Sequence, residues 1–303
     1  MDPVTEVLRL SGLKGTVGTR IEAGSRWSAE VSGHPGIATH AVLSGGASLV
    51  TDDGRHVDLA AGDVVMLPIG AKHRLGDDPG GEPVPIPARG GAGQCLRLGS
   101  GPPRTRIFTV YYDCNHVTRT QVLDELPDFL HVEGGEPGAA YLDDVVRLLG
   151  RELSHPQLAT TAVVDSLVDL ILIQLVRAWL ARQPEHRRGG WLGWADDPIV
   201  RDAVERVHAD PAGDWSAATL AAALNVSRAT LARRFQAAMG RSPAAYVTQW
   251  RMDLAASRLR DTRDPVEAVA ARVGYRSVPS FTRAFLRDRG TTPGAFRRQR
   301  QKP

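Results

Sequence analysis

Apolar positions in the first third of the chain fall in short runs separated by turn-forming pairs. In HAVLSGGASLVTDDGRHVDLAAGDVVMLPIGAKHRL the pairs Gly45-Gly46, Asp53-Gly54 and Gly62-Asp63 punctuate such runs. Strands at this spacing predict an antiparallel sandwich or barrel over residues 16 to about 112. Within it, DDPGGEPVPIPARGGAGQ, residues 77–94, carries too much Pro and Gly for helix or strand and reads as a long loop.

From about Gly138 the period becomes helical. AAYLDDVVRLLGREL is followed by an apolar stretch from Thr161 to Arg182, and these two helices either pair with their copies in a second subunit or pack on their own domain. AVVDSLVDLILIQLVRAWLA, residues 162–181, is long enough to span a bilayer, but Asp165, Asp169 and Arg177 interrupt it. It reads as a buried or dimerising helix. RQPEHRRGG, residues 182–190, follows as a polar linker.

Residues 196–299 read as helix throughout. Asp197 is a candidate N-cap with Pro198 in the first helical position, Ser216 and Ser227 cap two further helices, Asn225 marks a turn, and Gly240 stops the helix before Pro243 starts the next. This plan is written twice. Residues 220–246 lie on 270–296 without a gap: Leu220 on Ala270, Ser227 on Ser277, Leu231 on Phe281, Arg233 on Arg283, Phe235 on Phe285, Gly240 on Gly290, Pro243 on Pro293 and Tyr246 on Phe296. Each copy is a short helix, a tight turn and a second helix, the arrangement of a helix-turn-helix.

In the second helix of each copy, Leu231 and Phe235, or Phe281 and Phe285, turn toward a core at i and i+4, so the residues between them face outward. Those are Arg228, Ala229, Ala232 and Arg233 in the first copy and Val278, Pro279, Thr282 and Arg283 in the second. Small residues permit close approach to a groove wall, and Arg reaches guanine edges or phosphates.

Charge sharpens this division. The chain has 303 residues and a formal net charge of +3, enough length for two domains. Residues 196–303 hold nineteen Lys and Arg against eleven Asp and Glu, whereas the preceding residues hold eighteen against twenty-three. The C-terminal third is the basic part, and nearly all of its positive charge is Arg. The N-terminus has scattered charges and no apolar block before a cleavage site, so a cytoplasmic location is expected. Two cysteines, Cys95 and Cys114, are too few for a disulfide scaffold. They read as inert thiols or, since Cys95 borders the Gly-rich loop and Cys114 precedes Asn115 and His116, as a redox-responsive pair.

From Asp197 to Arg298 the sequence resembles the AraC/XylS family of bacterial transcription regulators, whose two helix-turn-helix units match LAAALNVSRATLARRFQAAMGRSPAAYVTQWRMDLAASRLRDT and VEAVAARVGYRSVPSFTRAFLRDRGTTPGAFRR. The resemblance implies DNA contacts from Ser227, Arg228, Ala229, Thr230, Ala232 and Arg233 and from Ser277, Val278, Pro279, Ser280, Thr282 and Arg283, with Gly274 and Tyr275 in the turn before the second reading helix. Ala229, Ala232, Val278 and Pro279 lack polar groups, which concentrates base recognition on Arg233 and Arg283. Because the two copies share these arginines but not their other outward residues, they are expected to read different half-sites.

The segment GDVVMLPIGAKH sets Gly62, Pro68, Gly70 and His73 at a spacing that resembles the second motif of cupins, in which the last His is a metal-ligand position. The first motif is poorer. Counting back from Gly46 puts His34 in the slot of one metal His, Ser32 in the other and Thr39 in the slot of the Glu, with His40 one residue beyond and able to face inward only if the register slips. A catalytic cupin metal needs about three His and a carboxylate, and no metal, cofactor or catalytic residue is expected here. His34, His40 and His73 are instead candidate effector contacts, and Trp27 and Tyr111 candidate lining.

The expected fold is therefore α+β in two domains: a cupin-like sensor barrel over 1–135, a helical dimerisation or connecting segment over 136–183, a linker over 184–195, and a double helix-turn-helix domain over 196–303. The expected function is a sequence-specific transcription regulator that senses a small molecule or redox signal, with promoter DNA, RNA polymerase, the effector and a second copy of the chain as partners. The alternatives are a cupin metalloenzyme fused to a DNA-binding domain, which the poor first motif disfavours, and a barrel serving only dimerisation.

Overall fold

The computed structural model describes residues 14–32, 36–78, 80–86, 94–113, 127–136, 139–182, 194 and 196–300. They form two compact units, one of strands with two helices through Arg182 and one of helices from Pro198 onward. Among the described residues no helix is long and apolar enough to cross a membrane.

The first unit contains β1 (Lys14–Ser25), β2 (Ser28–Val31), β3 (Ile37–Ser44), β4 (Gly46–Thr51), β5 (His56–Ala60), β6 (Val64–Leu67), β7 (His73–Gly76), β8 (Val84–Ile86), β9 (Cys95–Leu98), β10 (Ser100–Asp113) and β11 (Leu130–Val132). Six strands make one sheet in the order β11-β6-β3-β10-β1-β9, and five make another in the order β5-β4-β7-β2-β8. Ile21, Val42, Val65, Leu67 and Ile107 of the first sheet bury against Ala29, Val31, Leu49, Leu75 and Ile86 of the second. The expected barrel is thus a cupin-like sandwich, with two sheets that face each other without closing.

The Pro-rich loop needs one correction. Val84, Pro85 and Ile86 form a strand that pairs in parallel with β2 at the edge of the five-stranded sheet. An edge position tolerates Pro85, because only one side of the strand is paired and the missing N–H can fall on the other.

Two helices, α1 (Ala140–Ser154) and α2 (Thr160–Arg182), cover the outer face of the six-stranded sheet. Gly150 of α1 lies so close to Leu43 that a side chain there would overlap it, and Gly15 of β1 stands in the same relation to Val168 of α2. The Tyr112 hydroxyl donates to the Val168 carbonyl at 2.8 Å. Within the chain both helices pack on their own domain. Asp165, Asp169 and Arg177, which break the apolar run of α2, are exposed while Val168, Ile171 and Leu175 are buried.

The second unit contains α3 (Pro198–Ala209), α4 (Ala217–Ala223), α5 (Arg228–Met239), α6 (Pro243–Asp261), α7 (Val266–Arg272), α8 (Val278–Arg289) and α9 (Pro293–Arg300). The caps fall where the sequence puts them. Asp197 accepts from the amides of Ile199 and Val200, and Ser216, Ser227, Ser242 and Ser277 each accept from the amide three residues on. Gly240 and Gly290 end α5 and α8 in the left-handed conformation, at φ of 64° and 67°, where a side chain would be strained.

Candidate nucleic-acid interface and sensor interior

In the first helix-turn-helix, Leu231 and Phe235 of α5 are fully buried, and the Phe235 ring packs on Tyr246 of α6 at 6.0 Å between centroids. Burying two such side chains stabilises the unit by about 1.5–3 kcal/mol each and fixes which face of α5 remains outside. That outer face presents Ser227, Arg228, Ala229, Ala232 and Arg233, all exposed, with Thr230 half-buried behind the cap. Arg234, the next residue, is turned away: its guanidinium meets the Asp197 carboxylate at 3.2 Å and ties α5 to the start of α3. The two neighbouring arginines therefore have different duties.

The second helix-turn-helix repeats this geometry. Phe281 and Phe285 are buried and touch each other, Tyr275 and Phe296. Ser277, Pro279, Ser280 and Arg283 are exposed, and Val278 and Thr282 are half-buried. The Arg283 guanidinium donates to Ser280 Oγ at 3.4 Å, which lays it along the outer face. Gly274, at φ +83°, makes the turn before α8. One further pair belongs to these faces and was not picked out from sequence: Gln236 on α5 and Leu286 on α8 lie one helical turn past Arg233 and Arg283, and both are exposed, Leu286 by 44%. The fifty-residue offset that relates the copies relates these two as well.

The sandwich interior gathers its polar groups at one place. Alternation along β3 sends Val42, and with it His40, toward the other sheet, while Leu43 points at α1. His40, not Thr39, is the residue that enters the interior, so the one-residue slip is realised. His73 comes from β7 of the opposite sheet, and its Nε2 lies 2.7 Å from Nε2 of His40. His73 Nδ1 is 3.2 Å from the Ala71 carbonyl, and His40 Nδ1 is 3.0 Å from Thr109 Oγ1.

These partners fix the protons. A carbonyl only accepts, so His73 carries its proton on Nδ1 and its Nε2 accepts from the Nε2–H of His40, whose Nδ1 then accepts from the Thr109 hydroxyl. Both rings are neutral. Burial, reinforced by His73, holds His40 well below its usual pKa, and burial brings His73 down to about 4 against the opposing pull of the Ala71 carbonyl and Asp52. Tyr111 lies on the same inner face over Gly18, and Trp27 is buried in the apolar core. Among the described residues no group of three or more His, Cys, Asp or Glu is placed to hold a metal. Ser32 is exposed, Cys95 is an exposed free thiol on β9, and His34 and Cys114 lie outside the described residues.

Comparison with known proteins agrees with both halves. Residues 2–181 match the cupin family model, and residues 220–299 match a helix-turn-helix domain model. A putative AraC-like transcription regulator from Streptomyces antibioticus is 34% identical over 98% of this chain and 99% of its own length. The chain belongs to the AraC-like transcription regulators. A second AraC-like regulator, from Streptomyces lividans, is 34% identical over the whole of both chains, and the regulator MtrA of Neisseria gonorrhoeae is 29% identical over 99% of each. In this AraC-like regulator the cupin half is β-rich and the DNA-binding half is helical, with the two duplicated units on either side of α6.

Proposed function

We propose that this regulator reads promoter DNA with the outer faces of α5 and α8, and that its cupin domain adjusts that binding in response to a small molecule or redox signal. The observation that carries the reading is the paired exposure of Arg233 and Arg283 on two helices whose caps, buried faces and stops repeat residue for residue. Ser227, Arg228, Thr230, Ser277 and Ser280 lie at the helix starts, where hydroxyls, guanidinium and amides suit phosphate. Ala229, Ala232, Val278, Pro279 and Thr282 offer small or apolar surface to thymine methyls.

On the sensor side, His40 and His73 are the effector contacts of this proposal, and a ligand able to replace their mutual hydrogen bond would favour one arrangement of the domain over another. Cys95 and Cys114 are the redox alternative. The chain acts in the cytoplasm as a homodimer that recruits or obstructs RNA polymerase. It is a regulator without catalytic activity, and the names of its relatives as transcription regulators support that last point. The proposed domain limits are 1–135, 136–183, 184–195 and 196–303. A thermal-shift screen with metal analysis of the purified protein tests the sensor: a stabilising compound supports it, and no stabilising compound with no metal leaves the cupin domain a dimerisation module only.

A further inference from the structure

A single helix serves both DNA-reading units. The first half of α6 packs into the first unit, where Tyr246 meets Phe235 and His208 of α3 stacks on Trp250 at 3.6 Å. The second half packs into the other unit, where Met252, Ala255, Ala256 and Leu259 share a core with Val269, Phe281, Phe285 and Phe296. The changeover falls between Trp250 and Met252, at Arg251. Every extensive contact of α7, α8 and α9 is with one another or with α6. The rotation of one unit relative to the other is therefore set by α6 together with whatever bridges the two units beside it.

Arg251 is built into that seam. Its Nε donates to the Pro211 carbonyl at 2.9 Å and its Nη2 to the Gly213 carbonyl at 2.6 Å, both in the loop between α3 and α4 of the first unit. That loop is itself tightly wound, with the Gly213 amide donating to the Asp210 carbonyl and the Trp215 amide to Gly213. The other side of the guanidinium faces the turn of the second unit. A Cβ on Gly274 would stand 2.8 Å from Arg251 Nη2 and 3.1 Å from the Cα of Ala212, so loop, guanidinium and turn are in direct contact. A planar fork with two fixed donors holds such a three-way junction in one orientation, which a lysine cannot do.

The geometry points to Arg251 as the positioning residue that fixes the spacing and phase of the two DNA-reading helices. It rests on the reading of α5 and α8 given above, and it adds a determinant of specificity that touches no base. One base pair inserted between half-sites turns the second by about 35° around the duplex and moves it about 3.4 Å, so a rigid pair of readers selects one spacing and a loosened pair accepts several.

The test is selection of bound DNA from a random-sequence library by the full chain, comparing wild type with Arg251→Met, Arg251→Lys and Gly274→Ala, with thermal unfolding of each. Wild type is expected to yield two half-site motifs at one spacing, preferred roughly tenfold over spacings one base pair longer or shorter. The variants are expected to recover the same two motifs with that preference reduced to about twofold. Unchanged spacing preference in folded Arg251→Met and Arg251→Lys overturns the proposal, as does a loss of folding in all three variants, which would make the junction purely structural. If wild type itself selects no bipartite motif, the reading of α5 and α8 fails, and the positioning role with it.

Discussion

Arg233 and Arg234 show how far a single position can be read from sequence. Both are arginines on α5, yet Arg234 is engaged by the Asp197 carboxylate and only Arg233 shares the offset that leads to Arg283. Replacing Arg233 or Arg283 by Ala is expected to weaken specific binding by about 1–3 kcal/mol and to relax preference at one base pair, measured by titration on specific and scrambled duplexes. Equal losses on both duplexes would assign these side chains to phosphate. In the cupin domain the motif spacing singled out His73, which begins β7, but left His40 dependent on a register that periodicity alone does not fix. A slip of one residue exchanges the two faces of a strand, and the packing of Leu43 against α1 settles it. The consequence is a pH dependence. His73 has a folded pKa of about 4 against an ordinary 6.5, so below pH 6.5 the unfolded chain takes up a proton that the folded one refuses. Its contribution is intact above that range and is lost as pH falls toward 4, by on the order of 3 kcal/mol, with His40 acting in the same direction. Chemical denaturation between pH 7 and 4.5 is expected to show this loss, and His73→Gln to reduce it; a wild-type profile that does not change with pH would contradict the neutral pair.

At the scale of elements, the helices of the second unit were legible because their ends are chemical: serine caps, prolines at the first position and glycine stops. Ser227→Ala is expected to cost about 1 kcal/mol, read by thermal unfolding, since the amide of Thr230 loses its acceptor. What the caps could not reveal is how α8 is held to α6. Arg289, at the end of α8, forms an ion pair with Asp253 of α6, and Gln249 donates to the same carboxylate at 3.2 Å. Burial pushes the Asp253 carboxyl up to about 6 against the pull of Arg289. Asp253→Ala removes one of two carboxylates on Arg289, leaving Asp288 at 2.9 Å on Nε, and a loss of about 3 kcal/mol is expected in unfolding of the full chain. Asp253→Asn, which keeps an oxygen for Arg289, is expected to lose less. Strand β8 was missed for the converse reason: its composition is that of a loop, and only an edge place beside β2 makes a strand of it. The residues of a turn advertise themselves; an edge strand is defined by its neighbour.

For the whole molecule, the duplication was visible in the sequence and the family followed from it, while the sensor was visible only in outline. A fifty-residue offset is a one-dimensional pattern, but a hydrogen-bonded pair formed by residues 40 and 73 on opposite sheets is not. The two halves of the chain also differ in their chemistry, with arginine concentrated in the helical unit and a hydrogen-bonded pair of buried imidazoles in the sandwich. On the proposed reading, two unlike helices facing DNA on one chain call for an asymmetric target within the footprint of each monomer. The most direct test is to determine the sequences bound by purified full-length protein and to repeat the determination with Arg233→Ala and Arg283→Ala. Two dissimilar half-sites are expected, the first losing its preference in Arg233→Ala and the second in Arg283→Ala. A single motif, or two half-sites weakened alike by either substitution, would contradict the assignment of one reader to each helix.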